Sequence, residues 1–140
     1  MKCSAKIENL SSVMNCVVEN ARIRGFSEKR IHQIELALEE ALVNVFRYAY
    51  PESCGEVEVV CREKGGRLVI DIIDSGVPFD PGDVPDPDTK NCSIREKKLG
   101  GLGCFLIRKM ADEVRYRREA GHNVLTLVLG RSCHDPQISN

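Results

Sequence analysis

The sequence predicts an α+β fold, a two-layer sandwich in which a mixed, mostly antiparallel sheet is covered on one face by three helices. Two observations carry this. Strand-like runs come as adjacent pairs joined by short turn segments, and strands paired as hairpins build antiparallel sheets. Three other stretches repeat apolar residues every three to four positions, which gives each helix one face to bury, and the sheet is the surface available to cover it. The length of 140 residues fits one domain, and a chain of that size buries roughly 70% of its unfolded surface.

The elements follow in order. A short first strand is expected near residues 4–8. Residues 10–24, LSSVMNCVVENARIR, place Leu10, Val13, Met14, Val17, Val18 and Ala21 on one helical stripe, and Gly25 ends the helix. Ser27 is an N-cap for a second helix, with Glu28 in its first turn. That helix is expected to reach Tyr50, where Pro51 stops it, with a core stripe of Ile31, Ile34, Leu38, Ala41, Val45, Phe46 and Ala49. GEVEVVCRE (55–63) alternates Val57, Val59 and Cys61 with polar residues, and the turn KGG leads into RLVIDIID (67–74), a hairpin. Residues 75–99 contain four prolines between 78 and 87 and no periodicity, so a long functional loop or a disordered segment is expected. GGLGCFLIRKMA (100–111) reads as a glycine-rich turn feeding an apolar helix. A second hairpin closes the domain, with Val114, Tyr116, Leu125, Leu127 and Leu129 facing the core and Arg115, Arg117 and Thr126 facing away. Residues 1–131 form one domain on this reading, and 132–140 a disordered tail.

Twenty basic and 21 acidic residues give a net charge of −1, which argues against broad nucleic-acid binding and against an anionic membrane surface. No apolar run approaches the roughly 18 residues of a spanning helix, and the first residues lack a signal-peptide core. The seven cysteines are odd in number and form no C-x-x-C, so free thiols in a reducing cytoplasm are expected. His32, His122 and His134 are scattered and form no ligand cluster.

Three constellations carry chemistry. In LEEALVNVFRYAY (38–50), Glu40 and Asn44 stand one turn apart on one helix face. They are either a solvated edge beside the core stripe or a site, with Asn44 offering a neutral oxygen to Mg²⁺ and Glu40 acting as the base toward a hydroxyl or water. In DIIDSGVPFD, Asp74 ends an apolar strand and Ser75-Gly76 follows. This is either ordinary turn chemistry or a carboxylate accepting the exocyclic amine of adenine, with Gly76 letting the backbone approach the base. In KKLGGLGCFLI, three glycines precede an apolar helix, which is either a close-packed hinge or an anion-binding helix start. Neither a P-loop nor a dinucleotide fingerprint fits, because Cys104 and Leu106 stand where those motifs need other residues.

The motifs E-A-L-V-N (40–44), D-S-G (74–76) and G-G-L-G (100–103), in this order, resemble the three boxes of the GHKL ATPase superfamily, which has the Bergerat, or histidine-kinase-like, fold. DSGVPFDP, GGLGCFLIRKMADEV and NVLTL are similar to the branch of anti-sigma-factor serine/threonine kinases, over roughly residues 5–130. The resemblance implies an ATP- and Mg²⁺-dependent protein kinase that phosphorylates an anti-sigma-factor antagonist and sequesters a sigma factor; the alternative is a nucleotide-gated partner-binding module. It implies Glu40 as the catalytic residue that orients or deprotonates the partner's serine hydroxyl, and Asn44 as the Mg²⁺ ligand. It assigns Asp74 and Gly76 to adenine, Gly100, Gly101, Leu102 and Gly103 to the phosphates, and residues 77–99 to an ATP lid. A second copy of the chain is a further implied partner. Two departures stand out. Tyr48 occupies the place where many relatives carry histidine, and Leu99 precedes the glycines where a basic residue often reaches the γ-phosphate. Lys98 is taken with the cofactor-binding set in its place, with Lys97 and Arg95 as alternatives.

Overall fold

The computed structural model describes residues 1–81 and 102–134. In chain order the elements are β1 (Lys2–Ser4), a 3₁₀ turn (Ile7–Asn9), α1 (Leu10–Ile23), α2 (Glu28–Asn44), a π-helical turn (Val45–Ala49), β2 (Glu56–Lys64), β3 (Arg67–Asp74), α3 (Leu102–Met110), β4 (Glu113–Glu119) and β5 (His122–Leu129). The five strands form one sheet in the order β1-β2-β3-β5-β4, and every neighbouring pair is antiparallel. Both long hairpins close through two-residue turns with positive φ, at Gly65-Gly66 and at Ala120-Gly121. Such turns match the right-handed twist of the strands they join.

The core lies between the helices and one face of the sheet. Val57 and Val59 of β2, Leu68, Ile70 and Ile72 of β3, and Leu125, Leu127 and Leu129 of β5 meet Val13, Val17 and Ala21 of α1, Ile31, Ile34, Leu38 and Leu42 of α2, and Ile107 of α3. Each large side chain removed from water there contributes about 1.5–3 kcal/mol of driving force. Ser27 caps α2 by accepting a hydrogen bond from the Arg30 backbone N–H at 3.1 Å, and Gly25, at φ +81°, ends α1 in the left-handed conformation that glycine adopts without steric cost.

The structure changes four details of the sequence reading. The first strand sits at Lys2–Ser4, because the Met1 amino group donates to the Val59 carbonyl at 2.8 Å and sets β1 against β2; residues 7–9 form the 3₁₀ turn. The second helix is regular only to Asn44, and the five residues expected to continue it widen into the π turn. Thr126 does face away from the helices, yet it is buried with Val69, Val124 and Val128 on the outer face of the sheet, and its hydroxyl donates to Asp71 Oδ1 at 2.6 Å. Residues 131–134 fold back onto the domain, where the Gln33 side-chain oxygen accepts from the His134 N–H at 2.9 Å; the rest of the expected tail, 135–140, lies outside the described residues.

Candidate functional site

At one end of the sandwich a cleft opens between the end of α2 and the sheet. It is lined by Asn44 and Ala49 from the helix side, Ile72 and Asp74 from β3, Val77, Phe79 and Pro81 from the segment after it, and Tyr116, Asn123 and Leu125 from the last hairpin. Its walls are mostly apolar, with a few buried polar groups, the usual constitution of a small-molecule site.

Asp74 is the most tightly held of those groups. The β3–β5 register sets it directly opposite Asn123. Its Oδ1 accepts from the Gly76 N–H at 2.8 Å and from Asn123 Nδ2 at 2.9 Å, which leaves Oδ2 with no hydrogen bond among the described residues. Asn123 is fixed in turn. Its Nδ2 also donates to the Val77 carbonyl at 2.8 Å, and its Oδ1 accepts from the Tyr116 hydroxyl at 2.5 Å. Because Asn123 Nδ2 donates to Asp74, its amide orientation is set, and Asp74 Oδ1 stays an acceptor.

Gly76 is needed for a close approach. A Cβ there would lie 2.1 Å from the Ala49 carbonyl oxygen, which itself accepts from the Val77 N–H at 2.8 Å. The π turn thus presents a main-chain carbonyl to the strand end, in keeping with the frequency of π segments at functional sites. Two further side chains brace the same loop. The Tyr50 hydroxyl accepts from the Ser75 N–H at 2.8 Å and donates to the Glu56 carbonyl at 2.6 Å, and an Arg118 guanidinium N–H donates to the Gly76 carbonyl at 2.6 Å. Tyr48 stacks on Phe79 with ring centroids 6.1 Å apart.

Glu40 and Asn44 both meet the start of α3. A Cβ on Gly103 would fall 2.5 Å from Glu40 Oε2, so the absence of a side chain lets the carboxylate sit against the first turn. Burial, with a smaller contribution from the Glu39 charge and an opposing one from Arg47, holds the Glu40 carboxyl above its ordinary range. Asn44 is buried and its Nδ2 lies 3.8 Å from Cys104 Sγ, while its Oδ1 makes no hydrogen bond among the described residues. A hard, neutral oxygen free in a cleft suits Mg²⁺, which takes few protein ligands and keeps the rest of its shell for phosphates and water. No group of three or more His, Cys, Asp or Glu that could hold a metal occurs among the described residues, so Asn44 carries that expectation by itself.

The structure therefore brings together Glu40, Asn44, Asp74, Gly76 and Gly103. Leu102 opens α3. Lys98, Gly100 and Gly101, with most of the expected lid, lie outside the described residues; the lid's first part is tied to α3 where an Arg108 N–H donates to the Pro81 carbonyl at 2.6 Å. Sequence reasoning gave no site role to Asn123, Tyr116, Tyr50 or Arg118. Asn123 left a signal: it is the one polar residue in the inward series Asn123, Leu125, Leu127, Leu129.

The chain belongs to the family of histidine kinase-like ATPase domains, whose model matches residues 3–129. Among curated proteins it is similar to serine-protein kinase RsbW of Bacillus cereus (strain ATCC 10987 / NRS 248), with 30% identity covering 89% of this chain and 80% of that protein. It is likewise similar to the serine-protein kinase RsbW of Bacillus anthracis, with 29% identity and the same coverage. No helix among the described residues is long and apolar enough to cross a membrane.

Proposed function

We propose that this chain is an ATP- and Mg²⁺-dependent serine/threonine kinase that phosphorylates an anti-sigma-factor antagonist in the cytoplasm, and that it sequesters a sigma factor when that antagonist is already phosphorylated. Residues 1–131 are the kinase domain. The observation that carries the reading is the fixed carboxylate: Asp74 Oδ1 is held as an acceptor, Oδ2 has no hydrogen bond among the described residues, and Asp74 lines an apolar cleft together with Asn44. The names of the relatives support protein serine as the acceptor. Six described cysteines are free thiols, which suits a reducing compartment.

In this reading Asp74 Oδ2 accepts the exocyclic amine of adenine while Gly76 gives the base room. Leu102 and Gly103, the first residues of α3, and Gly100 and Gly101, which precede them in sequence, would offer backbone N–H groups to the phosphates, and Lys98 would add a cation. Asn44 Oδ1 would hold Mg²⁺, which neutralises phosphate charge when bound. Glu40 takes the proton of the incoming serine hydroxyl as its oxygen bonds to the γ-phosphorus and the bond to the β-phosphate oxygen breaks, releasing ADP. A carboxyl held above its ordinary range by burial is the stronger base for that proton.

The test is Glu40→Ala, with ATP affinity read by calorimetry and phosphoserine formation on an antagonist protein read by mass spectrometry. Transfer should fall by about 10²–10⁴-fold, the usual contribution of a positioned base, while ATP affinity stays within about twofold. Transfer that survives the substitution would remove Glu40 as the base. If nucleotide binds normally but wild type transfers nothing, the binding-module alternative replaces the kinase.

A further inference from the structure

The other end of the α2–α3 pair contains a buried cation that the proposed chemistry does not use. Arg30, in the first turn of α2, is 0% exposed and its guanidinium is shared among four acceptors, one on α2 itself, two at the junction of α3 and β4, and one just after β5. Nε donates to the Gly130 carbonyl at 2.8 Å, one terminal nitrogen to Gln33 Oε1 and to the Met110 carbonyl, each at 2.8 Å, and the other to Asp112 Oδ1 at 3.3 Å. Asp112 is held in place itself, with its Oδ2 accepting from the Gly130 N–H at 2.8 Å. Burial works against the guanidinium charge, and the Asp112 carboxylate supports it.

Met110 is the last residue of α3, and Leu102 and Gly103 are its first two. The two helices run antiparallel: the start of α2 meets the end of α3 at Arg30–Met110, and the end of α2 meets the start of α3 at Glu40–Gly103 and Asn44–Cys104. The other buried residues of the two helices include Ile34, Ala37, Leu38, Ala41 and Ile107, all apolar. Apolar contact is non-directional and resists a slide along the axis only weakly, whereas a planar fork with fixed donors has one position at which all its acceptors are met. A slip of α3 by a single residue shifts its start by about 1.5 Å. That is enough to move Gly103 off Glu40.

We propose that Arg30 is a positioning residue for phosphoryl transfer: it fixes the register of α3 on α2 and thereby holds the phosphate-binding start of α3 against Glu40. The proposal rests on the kinase reading above. Arg30 touches neither nucleotide nor serine, and it acts through the length of α3. The adenine-binding group Asp74 is held from β3 and β5 by bonds that do not involve Arg30, so the two halves of the site answer to different restraints.

The experiment compares Arg30→Lys and Arg30→Met with wild type in three measurements: affinity for adenosine, affinity for ATP with Mg²⁺, and the kcat and KM of transfer. Lysine keeps a cation but not the four-way fork, and methionine keeps only the stem. Adenosine affinity should stay within about twofold. The advantage of ATP over adenosine should fall about tenfold and kcat by ten- to a hundredfold, since a misplacement of about 1 Å can cost as much as 10²-fold. Arg30→Lys should recover part of what Arg30→Met loses. Should both variants fail to fold, Asp112→Asn, which keeps the shape of the acceptor and removes its charge, should show the same split at smaller size. A parallel fall of adenosine and ATP affinity, with kcat unchanged at saturation, would make Arg30 merely structural and overturn the proposal. So would an unchanged ATP advantage in folded Arg30→Met. Wild type that binds ATP no better than adenosine would instead sink the kinase reading, and this inference with it.

Discussion

If Asp74 reads adenine as proposed, replacing it by asparagine should reverse the purine preference of the cleft. Oδ1 must remain an acceptor, because the Gly76 N–H and Asn123 Nδ2 both donate to it, at 2.8 and 2.9 Å. The new amide nitrogen is therefore forced into the place of Oδ2, facing the base. A donor then confronts the exocyclic amine of adenine, itself a donor. The loss is one charge-assisted hydrogen bond, about 1.5–3 kcal/mol, or roughly 10- to 150-fold in ATP affinity at 1.4 kcal/mol per tenfold. Inosine triphosphate carries a carbonyl at that position and should gain where ATP loses. The fold should lose only about 1 kcal/mol, since the bonds from Gly76 and Asn123 survive in neutral form. Calorimetric titration of wild type and Asp74→Asn with ATP and with inosine triphosphate decides the matter. If the variant binds ATP within about threefold of wild type, or loses both nucleotides equally, Oδ2 does not read the base.

Two further outcomes follow from burial. Because the folded chain holds the Glu40 proton to higher pH than the unfolded chain does, the charged carboxylate penalises folding, a penalty absent below the ordinary carboxylate range and complete above the raised one. Glu40→Gln should therefore raise the Tm at neutral pH and leave it unchanged near pH ~4, while the transfer rate of wild type should fall as pH drops through the raised value. Cys104 is fully buried and Cys61 is pushed up to about 11, both chiefly by burial, whereas Cys16, Cys54 and Cys133 are exposed. Among the described thiols, a mass-spectrometric time course with iodoacetamide at neutral pH should label Cys16, Cys54 and Cys133 first and Cys104 and Cys61 last. ATP binding should then be insensitive to peroxide at Cys104; rapid labelling of that thiol would show that the start of α3 opens to solvent.

The sequence by itself determined the elements and the three local motifs. The 3–4 spacing from Leu10 to Ala21, the Ser27 cap, and the alternation on either side of Gly65-Gly66 are local patterns, set by the geometry of a helix or strand within a few residues of chain. The pairing of Glu40 with Asn44 and the placement of Asp74 at a strand end were legible for the same reason. Only the tertiary structure decided which groups those motifs meet. Asn123 orients Asp74 from 49 residues away, Arg30 holds Met110 from 80 residues away, and Gly103 leaves room for Glu40 across a helix pair. The widening of α2 at Val45–Ala49 belongs to the same class: its last carbonyl is aimed at Val77, which lies beyond β3. Local periodicity tells which face of an element is buried, whereas the partner of each buried polar group is fixed by strand register and helix packing between distant segments. Every such group must find a partner or open onto a cleft, so it is the assembled fold that turns Asp74 from a turn residue into a fixed acceptor.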